Sequence, residues 1–510
     1  MVCAVDHLAA QAGLGVLRAG GNAIDAAIAT NAVLAVTAQH MCGMGGDLLA
    51  IISVPGDDPI ALNASGFAGH GADPDRLRAA GHTAMPRHSI DSVTVPGCVD
   101  GWLALHERFG TIALADLFAP ARQYADEGFP ASPTLVRTLP DVAHLRDASD
   151  YTSHGALRIG AMVQRPGVSR ALGAIVKDGR AGFYQGEFGA ALLELGEGLF
   201  APGDLARPLA EWAPALRAGA WGREIWTVPP NSQGYLTLAS AAIAAQLDLP
   251  DPDDPLWAHY LIESARQASY DRPDVLFEGA DGPALVDERR LAPRRNAIDP
   301  RRAARLGGAY GAGDTTAITV VDGDRLGITI VQSNATGFGA RIVVPGVRIF
   351  LHNRGLGFSL QPGHPAELAA GRRPPHTLCP TLVTTLDGSL AGLLGTAGGD
   401  SQPQFLLQLL ARWLHGSAPP GEAIGAGRWS LAHPEGGDFN AWDRGGQVQV
   451  LLEEHTPTSW DRALLGLGHQ VQRIEGDHSP FGLAHLISIE DDHFAGATDP
   501  RALTGAVAAY

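Results

Sequence analysis

Between Asp6 and Leu17 apolar residues recur at helical spacing, and Gly20-Gly21 stops the run. Asn22 then stands where a second helix needs an N-cap, and the near-apolar stretch behind it carries that helix to about His40. A helical hairpin is expected. The glycine-rich stretch Gly43-Met44-Gly45-Gly46 leads into Leu48-Leu49-Ala50-Ile51-Ile52, an apolar run of strand length. Through the middle third, Pro/Gly turns alternate with Ala-rich helical segments such as Pro120 to Glu127 and Leu236 to Leu247. Asp281 to Asp314 is dense in Arg, Pro, Ala and Gly, and its end, Gly307-Gly308-Ala309-Tyr310-Gly311-Ala312-Gly313-Asp314, reads as an exposed loop. The pattern changes at Thr315. The β-branched run Thr315-Thr316-Ala317-Ile318-Thr319-Val320-Val321-Asp322, a Gly323-Asp324 turn and Leu326-Gly327-Ile328-Thr329-Ile330-Val331 together predict a β-hairpin. A loose loop abutting a strand suits a processing site, and equally an ordinary linker before a hairpin.

Composition narrows the partners. With 510 residues, 45% hydrophobic and 18% charged, the chain can bury a large core. Its 37 basic and 54 acidic residues give a formal charge of −17, which repels phosphate backbones and anionic lipid heads, so neither nucleic acid nor a membrane surface is an expected partner. The longest near-apolar stretch, Ala26 to Ala38, is broken by Thr30 and Asn31 and is too short to span a bilayer. Four cysteines, Cys3, Cys42, Cys98 and Cys379, form no C-x-x-C pair, so neither a disulfide framework nor a zinc ribbon is suggested and a reducing compartment is expected. The first residues carry no basic stretch followed by an apolar run, so a cytoplasmic location is the expectation.

The chain contains no H-E-x-x-H, G-x-x-x-x-G-K-[ST], G-x-S-x-G or S-x-x-K signature, and its 19 histidines are dispersed, so neither a metal nor another cofactor is expected. What remains is a threonine at a strand start behind a cleavable loop. A threonine hydroxyl is a weak nucleophile, but a threonine that becomes a chain terminus has its own α-amine, pKa about 7.7 to 8.0, to serve as base. Such a nucleophile needs oxyanion donors. Gly395-Thr396-Ala397-Gly398-Gly399-Asp400 after an apolar strand offers adjacent backbone N–H groups with no side chain in the way, although a Gly-Gly pair is also an ordinary turn.

Several blocks, in order and spacing, resemble the gamma-glutamyltranspeptidase family almost from end to end. They are Asp6-His7, Gly20-Gly21-Asn22-Ala23-Ile24-Asp25-Ala26-Ala27, Gly43-Met44-Gly45-Gly46, Val95-Pro96-Gly97, Gly313-Asp314-Thr315-Thr316, Gly337-Phe338-Gly339, Arg373-Pro374, Gly398-Gly399 and Asp499-Pro500-Arg501. The resemblance implies an α+β fold, the four-layer αββα sandwich of N-terminal-nucleophile hydrolases. It also implies a precursor that cuts itself between Asp314 and Thr315 into a large subunit, 1–314, and a small one, 315–510, interlocked as one domain; such a heterodimer could pair further into a homo-oligomer. By position, Thr315 is the nucleophile, Ser333 matches a hydroxyl residue that bonds to it, and Gly398 and Gly399 match the oxyanion pair; Ser333 as a plain strand serine stays open.

The anchors with which the family holds a glutamyl zwitterion depart from the pattern. Ser65, in Asn63-Ala64-Ser65-Gly66, stands where an arginine is usual, Leu356 replaces an acid, and His376-Thr377 replaces a serine pair. The family's asparagine aligns with Ala335, with Asn334 one position away. An ammonium without its counter-charge costs several kcal/mol in a dry site, so glutathione is expected to be a poor substrate. The blocks His352 to Pro365, Arg372 to Pro380, Pro230 to Tyr235 and Gly395 to Gln404 are similar to the branch of the family that includes oxamate amidohydrolase and other non-glutamyl acylases. On that reading Ser65, Asn334, Arg354, His376 and Thr377 would recognise a smaller or differently charged acyl group, with Asn231, Ser232 and Gln233 at the mouth, and each could equally be structural. The expected activity is hydrolysis of a small amide. A gamma-glutamyl hydrolase or transferase, and an uncleaved binding protein, are the alternatives.

Overall fold

Two helices, His7–Arg18 and Ala23–Thr37, open the chain, and each begins where a side chain caps it. The Asp6 carboxylate accepts from Leu8 N, while Asn22 and Asp25 form a reciprocal capping box. Every residue of the second helix is buried, as expected of a helix that is apolar on all faces. The chain is seen in a computed structural model that describes residues 1–152, 157–306, 313–432, 448–474 and 481–510.

Two antiparallel sheets form the centre. In the first, seven strands run in the order Ala506–Ala508, Val2–Ala4, Asp314–Val321, Gly327–Ala335, Asp47–Ser53, Ile60–Ala64, Glu211–Pro214. The second orders six: Phe494–Thr498, Ala484–Ile489, Leu390–Thr396, Thr381–Thr384, Arg223–Thr227, Leu216–Ala220. Both therefore combine strands from before and after residue 314.

The period-two alternation of strand side chains builds the layers. Along Asp47–Ser53, Leu48, Ala50 and Ile52 pack with the opening helices, whereas Leu49 and Ile51 face the second sheet and meet Val228, Leu378, Trp226, Leu382 and Leu393. The outer face of the second sheet, including Ile225, Val383 and Leu394, packs under helices Tyr235–Ala244, Pro255–Ser269 and Gln402–Leu410. Helix, sheet, sheet, helix is the four-layer α+β sandwich. Strands so placed are covered on both faces, which is why they read as continuous apolar runs and not as alternating ones.

The hairpin pairs as expected, with Val331 opposite Ala317 and Thr329 opposite Thr319. Two segments differ from the expectation. The second helix ends at Thr37, short of His40, and the Arg- and Pro-rich stretch after Asp281, for which composition predicts no element, holds two short helices, Gly282–Val286 and Glu288–Asn296. Asp281 and Asp287 cap these helices, and Leu291 and Arg294 are buried beneath the second; local composition outweighs neither cap nor burial. Residues 307–312 of the expected loop lie outside the described residues.

Candidate active site

Thr315 follows Asp314 at the start of the strand Asp314–Val321, and its two chain neighbours, Asp314 and Thr316, are paired across the sheet. Pairing proceeds from Gln332 opposite Thr316 to Ala335 opposite Asp314, so the partner strand carries one extra residue there. This β-bulge is completed by Ala335, whose φ is +74°. The bulge turns Ser333 onto the Asp314–Thr315 peptide. Thr315 Oγ1 donates to Ser333 Oγ at 3.3 Å, Ser333 Oγ donates to the Asp314 carbonyl at 2.6 Å, and Ala335 N–H donates to Ser333 Oγ at 2.7 Å. Ser333 thus uses its single proton and both lone pairs at once.

Asn334, the bulged residue, turns elsewhere: its N–H donates to the Met41 carbonyl and its Nδ2 to the Gln39 carbonyl, both at 2.9 Å. The glycine-rich stretch found in the sequence explains itself here. A Cβ on Gly46 would stand 2.3 Å from the Ser333 carbonyl oxygen, so only glycine lets this turn lie against the bulge.

Gly398 and Gly399 follow the strand Leu390–Thr396 with φ of +131° and +56°, two successive conformations that favour glycine. Gln233 clamps their loop from below, its Nε2 donating to the carbonyls of Thr377 (3.0 Å), Asp400 (3.2 Å) and Gly399 (3.3 Å). Gly398 lines a cavity of about 310 Å³ together with Asp314, Gly337, Arg87 and Arg137. Thr315 lies buried behind this wall. A larger depression of about 850 Å³, bordered by Trp221, Trp413 and His493, holds none of these groups. Burial pushes the Asp314 carboxyl up to about 6, against the pull of Arg87 and Arg137 and with the help of Asp141.

Arg354, His376 and Thr377 come together away from that wall, in a fully buried network centred on Asp47. Arg354 Nε and Nη2 donate to the Asp47 carboxylate at 2.5 and 3.3 Å, and Arg354 Nη1 donates to Thr377 Oγ1 at 2.8 Å. His376 Nε2 and His352 Nδ1 lie 3.0 and 3.2 Å from Asp47 Oδ2. Burial alone would raise the Asp47 pKa, but Arg354, His376 and His352 together hold it well below the usual carboxylate range. Burial likewise pushes His376 down to about 4, with Arg354 adding to the effect. Neutral His376 then donates through Nε2, and its Nδ1 accepts from Leu378 N–H at 3.3 Å. Asp47 is the register partner of Ser333, so the network anchors the strand Asp47–Ser53, which pairs with the Ser333 strand that lies between it and Thr315.

Ser65 Oγ accepts from Arg373 Nη1 at 3.1 Å and from Asn231 Nδ2 at 3.4 Å. Asn231 and Ser232, expected at the mouth, are buried with Gln233. Asp47, Arg87 and Arg137 escaped the sequence reading; for Asp47 a signal existed, an acid opening an otherwise apolar strand.

One set of side chains has the composition of a metal site. His259, Glu263 and His469 place ligand atoms within 4.8 Å of one another. Those atoms have protein partners already: His259 Nδ1 meets His469 Nε2 at 2.8 Å, and Glu263 accepts from Arg266 at 3.3 Å and from Ala304 N–H at 3.0 Å. Among the described residues His469 Nδ1 is left buried without a hydrogen-bond partner, so the set is an internal hydrogen-bond network that is only partly satisfied.

With this geometry in view, the family model for gamma-glutamyltranspeptidase matches residues 9–509. The chain belongs to the gamma-glutamyltranspeptidase family. It is 32% identical over 530 residues to the oxamate amidohydrolase proenzyme of Klebsiella pneumoniae, covering 100% of this chain and 98% of that protein. Identity to the glutathione hydrolase-like YwrD proenzyme of Bacillus subtilis is 31% over 528 residues, covering 98% and 97%. Among solved structures, the cephalosporin acylase of Bacillus halodurans superposes with a TM-score of 0.90 at 30% identity, covering 100% of this chain and 95% of that one. This member of the gamma-glutamyltranspeptidase family is accordingly an N-terminal-nucleophile amide hydrolase with the sandwich fold of its relatives, and the Klebsiella and Bacillus subtilis relatives are named as proenzymes. Among the described residues no helix is long and apolar enough to cross a membrane.

Proposed function

We propose that the chain cuts itself between Asp314 and Thr315, and that Thr315, as the new terminus of residues 315–510, hydrolyses the amide bond of a small acyl substrate other than glutathione. The observation that carries this reading is the three-centre arrangement at Ser333, which ties the Thr315 hydroxyl to the carbonyl it would attack.

In the first step Thr315 Oγ1 bonds to the Asp314 carbonyl carbon while Ser333 stabilises the developing oxyanion. The Thr315 Oγ proton moves to the leaving amide nitrogen as the C–N bond breaks, and water hydrolyses the resulting ester. The products are an Asp314 carboxylate and a free Thr315 α-amine. In turnover Thr315 Oγ1 attacks the substrate carbonyl, its α-amine takes the proton and passes it to the departing amine, and the N–H groups of Gly398 and Gly399 receive the oxyanion. Water then releases the acid. Strands from both sides of residue 314 share both sheets, so the two pieces would stay interlocked after cleavage.

Two observations speak against a glutamyl substrate. Leu356, where the family has an acid, packs in an apolar cluster with Ala335, Phe358 and Leu360 and supplies no counter-charge for an ammonium group. Arg354 is committed to Asp47. YwrD is named as glutathione hydrolase-like, so the gamma-glutamyl reading is tested directly. Purified protein is assayed on oxamate and other small amides beside glutathione and a gamma-glutamyl anilide, with Thr315→Ala as control. Hydrolysis of the small amides, abolished by the substitution, supports the proposal; a preference for glutathione, or an active Thr315→Ala protein, would contradict it.

A further inference from the structure

Asp314 is itself an acyl group with an acid attached. Its main-chain carbonyl receives the Ser333 hydrogen bond at 2.6 Å, and its side-chain carboxyl lies two carbons further on in the cavity wall. That carboxyl rests against Gly337, where an added Cβ would stand 2.9 Å from Asp314 Oδ2. Arg87 and Arg137 line the same cavity, beside Gly398. Among the described residues both favour the charged form of Asp314, while Asp141, which acts against them, is paired with Arg341 at 3.1 Å.

The arginines reach the cavity from separate segments. Arg137 stands in the last turn of the helix Pro133–Thr138. The Arg87 carbonyl accepts from Asn353 Nδ2 at 3.1 Å and from Ser92 Oγ at 3.4 Å, which ties it to the His352-Asn353-Arg354 block. Asn353 therefore serves the cavity through Arg87.

We propose that Arg87 and Arg137 hold a carboxylate on the acyl group, so that the substrates are monoamides of short dicarboxylic acids. This rests on the reading of Thr315 as nucleophile. Once the peptide is cut, Asp314 is no longer tethered to Thr315, and an acyl group with a carbonyl at the nucleophile and an acid separated from it by two carbons or fewer approaches the placement Asp314 had. Guanidinium groups suit this task because their planar fork matches a carboxylate and stays charged throughout the useful pH range.

The test compares oxamate, malonamate and succinamate with acetamide, propionamide and butyramide, using wild-type protein and the variants Arg87→Gln, Arg137→Gln and the double variant. Intact mass is recorded first, so that maturation is known for each. The wild type should prefer the anionic amides, and each substitution should lower the ratio of anionic to neutral kcat/KM by about ten- to a hundredfold, the effect of losing a hydrogen bond to a charged group. For any variant that does not mature, inhibition of the wild type decides: malonate and succinate should compete with substrate and acetate should not. A mature enzyme that hydrolyses neutral amides as well as charged ones, or a mature double variant that keeps the preference, or dicarboxylates that inhibit no better than acetate, would overturn the arginine subsite and leave Thr315 standing. A wild-type chain that neither matures nor hydrolyses any amide would remove the reading beneath it.

Discussion

Replacing Ser333 by alanine should slow self-cleavage far more than it destabilises the fold. The hydroxyl makes three bonds: it receives the Thr315 Oγ1 proton at 3.3 Å and the Ala335 N–H at 2.7 Å, and it donates to the Asp314 carbonyl at 2.6 Å. Loss of one oxyanion donor costs about 10²- to 10³-fold in rate, or about 2.7 to 4 kcal/mol in the barrier. Stability bears a separate cost, because Ala335 N–H is left buried without its acceptor, about 1 to 3 kcal/mol. The assay follows the fraction of uncut chain by denaturing gel and intact mass from the moment of purification, beside a thermal melt of each protein. Ser333→Ala should remain folded and mostly uncut over a period in which the wild type is fully cut. If the variant matures within a factor of a few of the wild-type rate, the serine is an ordinary strand residue and the relay through it is wrong.

Two other consequences follow from buried charge. Asp47→Asn removes the carboxylate that Arg354, His376 and His352 share, and a buried guanidinium stripped of its counter-charge costs about 3 to 5 kcal/mol, so the melting temperature should fall sharply; a loss under about 1 kcal/mol would show that the network is not needed for folding. Asp314 gives a pH signature in the uncut Thr315→Ala background. Its folded pKa is raised to about 6 from 3.8, chiefly by burial, so its protonated form is favoured on folding. The corresponding stability is full below about pH 4 and is lost as pH rises through about 6, a change of about 3 kcal/mol. Adding Asp314→Asn should therefore gain that much over Thr315→Ala alone between about pH 4 and about pH 7 in chemical denaturation. An advantage that does not change with pH would refute the assignment.

Much of this arrangement is local and so could be read from the chain. Asn22 announces its helix by capping chemistry and the 315–331 hairpin is announced by β-branched residues around a Gly-Asp turn, whereas Ser333 is placed by the family resemblance, because the bulge between Gln332 and Ala335 breaks the simple register there. Arg354 and His376 show where such reading stops. Polar residues in a compact motif look alike whether they face a ligand or a carboxylate of the same chain, and only the register that sets Asp47 beside Ser333 discloses which partner they have. Arg87 and Arg137 illustrate the same limit from the other side, because they meet at the cavity only after distant segments pack. The Glu288–Asn296 helix was obscured by its composition, since Arg-rich runs with Pro293 resemble loop until Leu291 is seen to be buried.

The most direct test of the central claim is the intact mass of freshly purified protein, with the N-terminus of any second chain sequenced. Two chains that part between Asp314 and Thr315, the second beginning with threonine, are what the account requires. A single uncut chain of 53.2 kDa, or a break at any other bond, would contradict it.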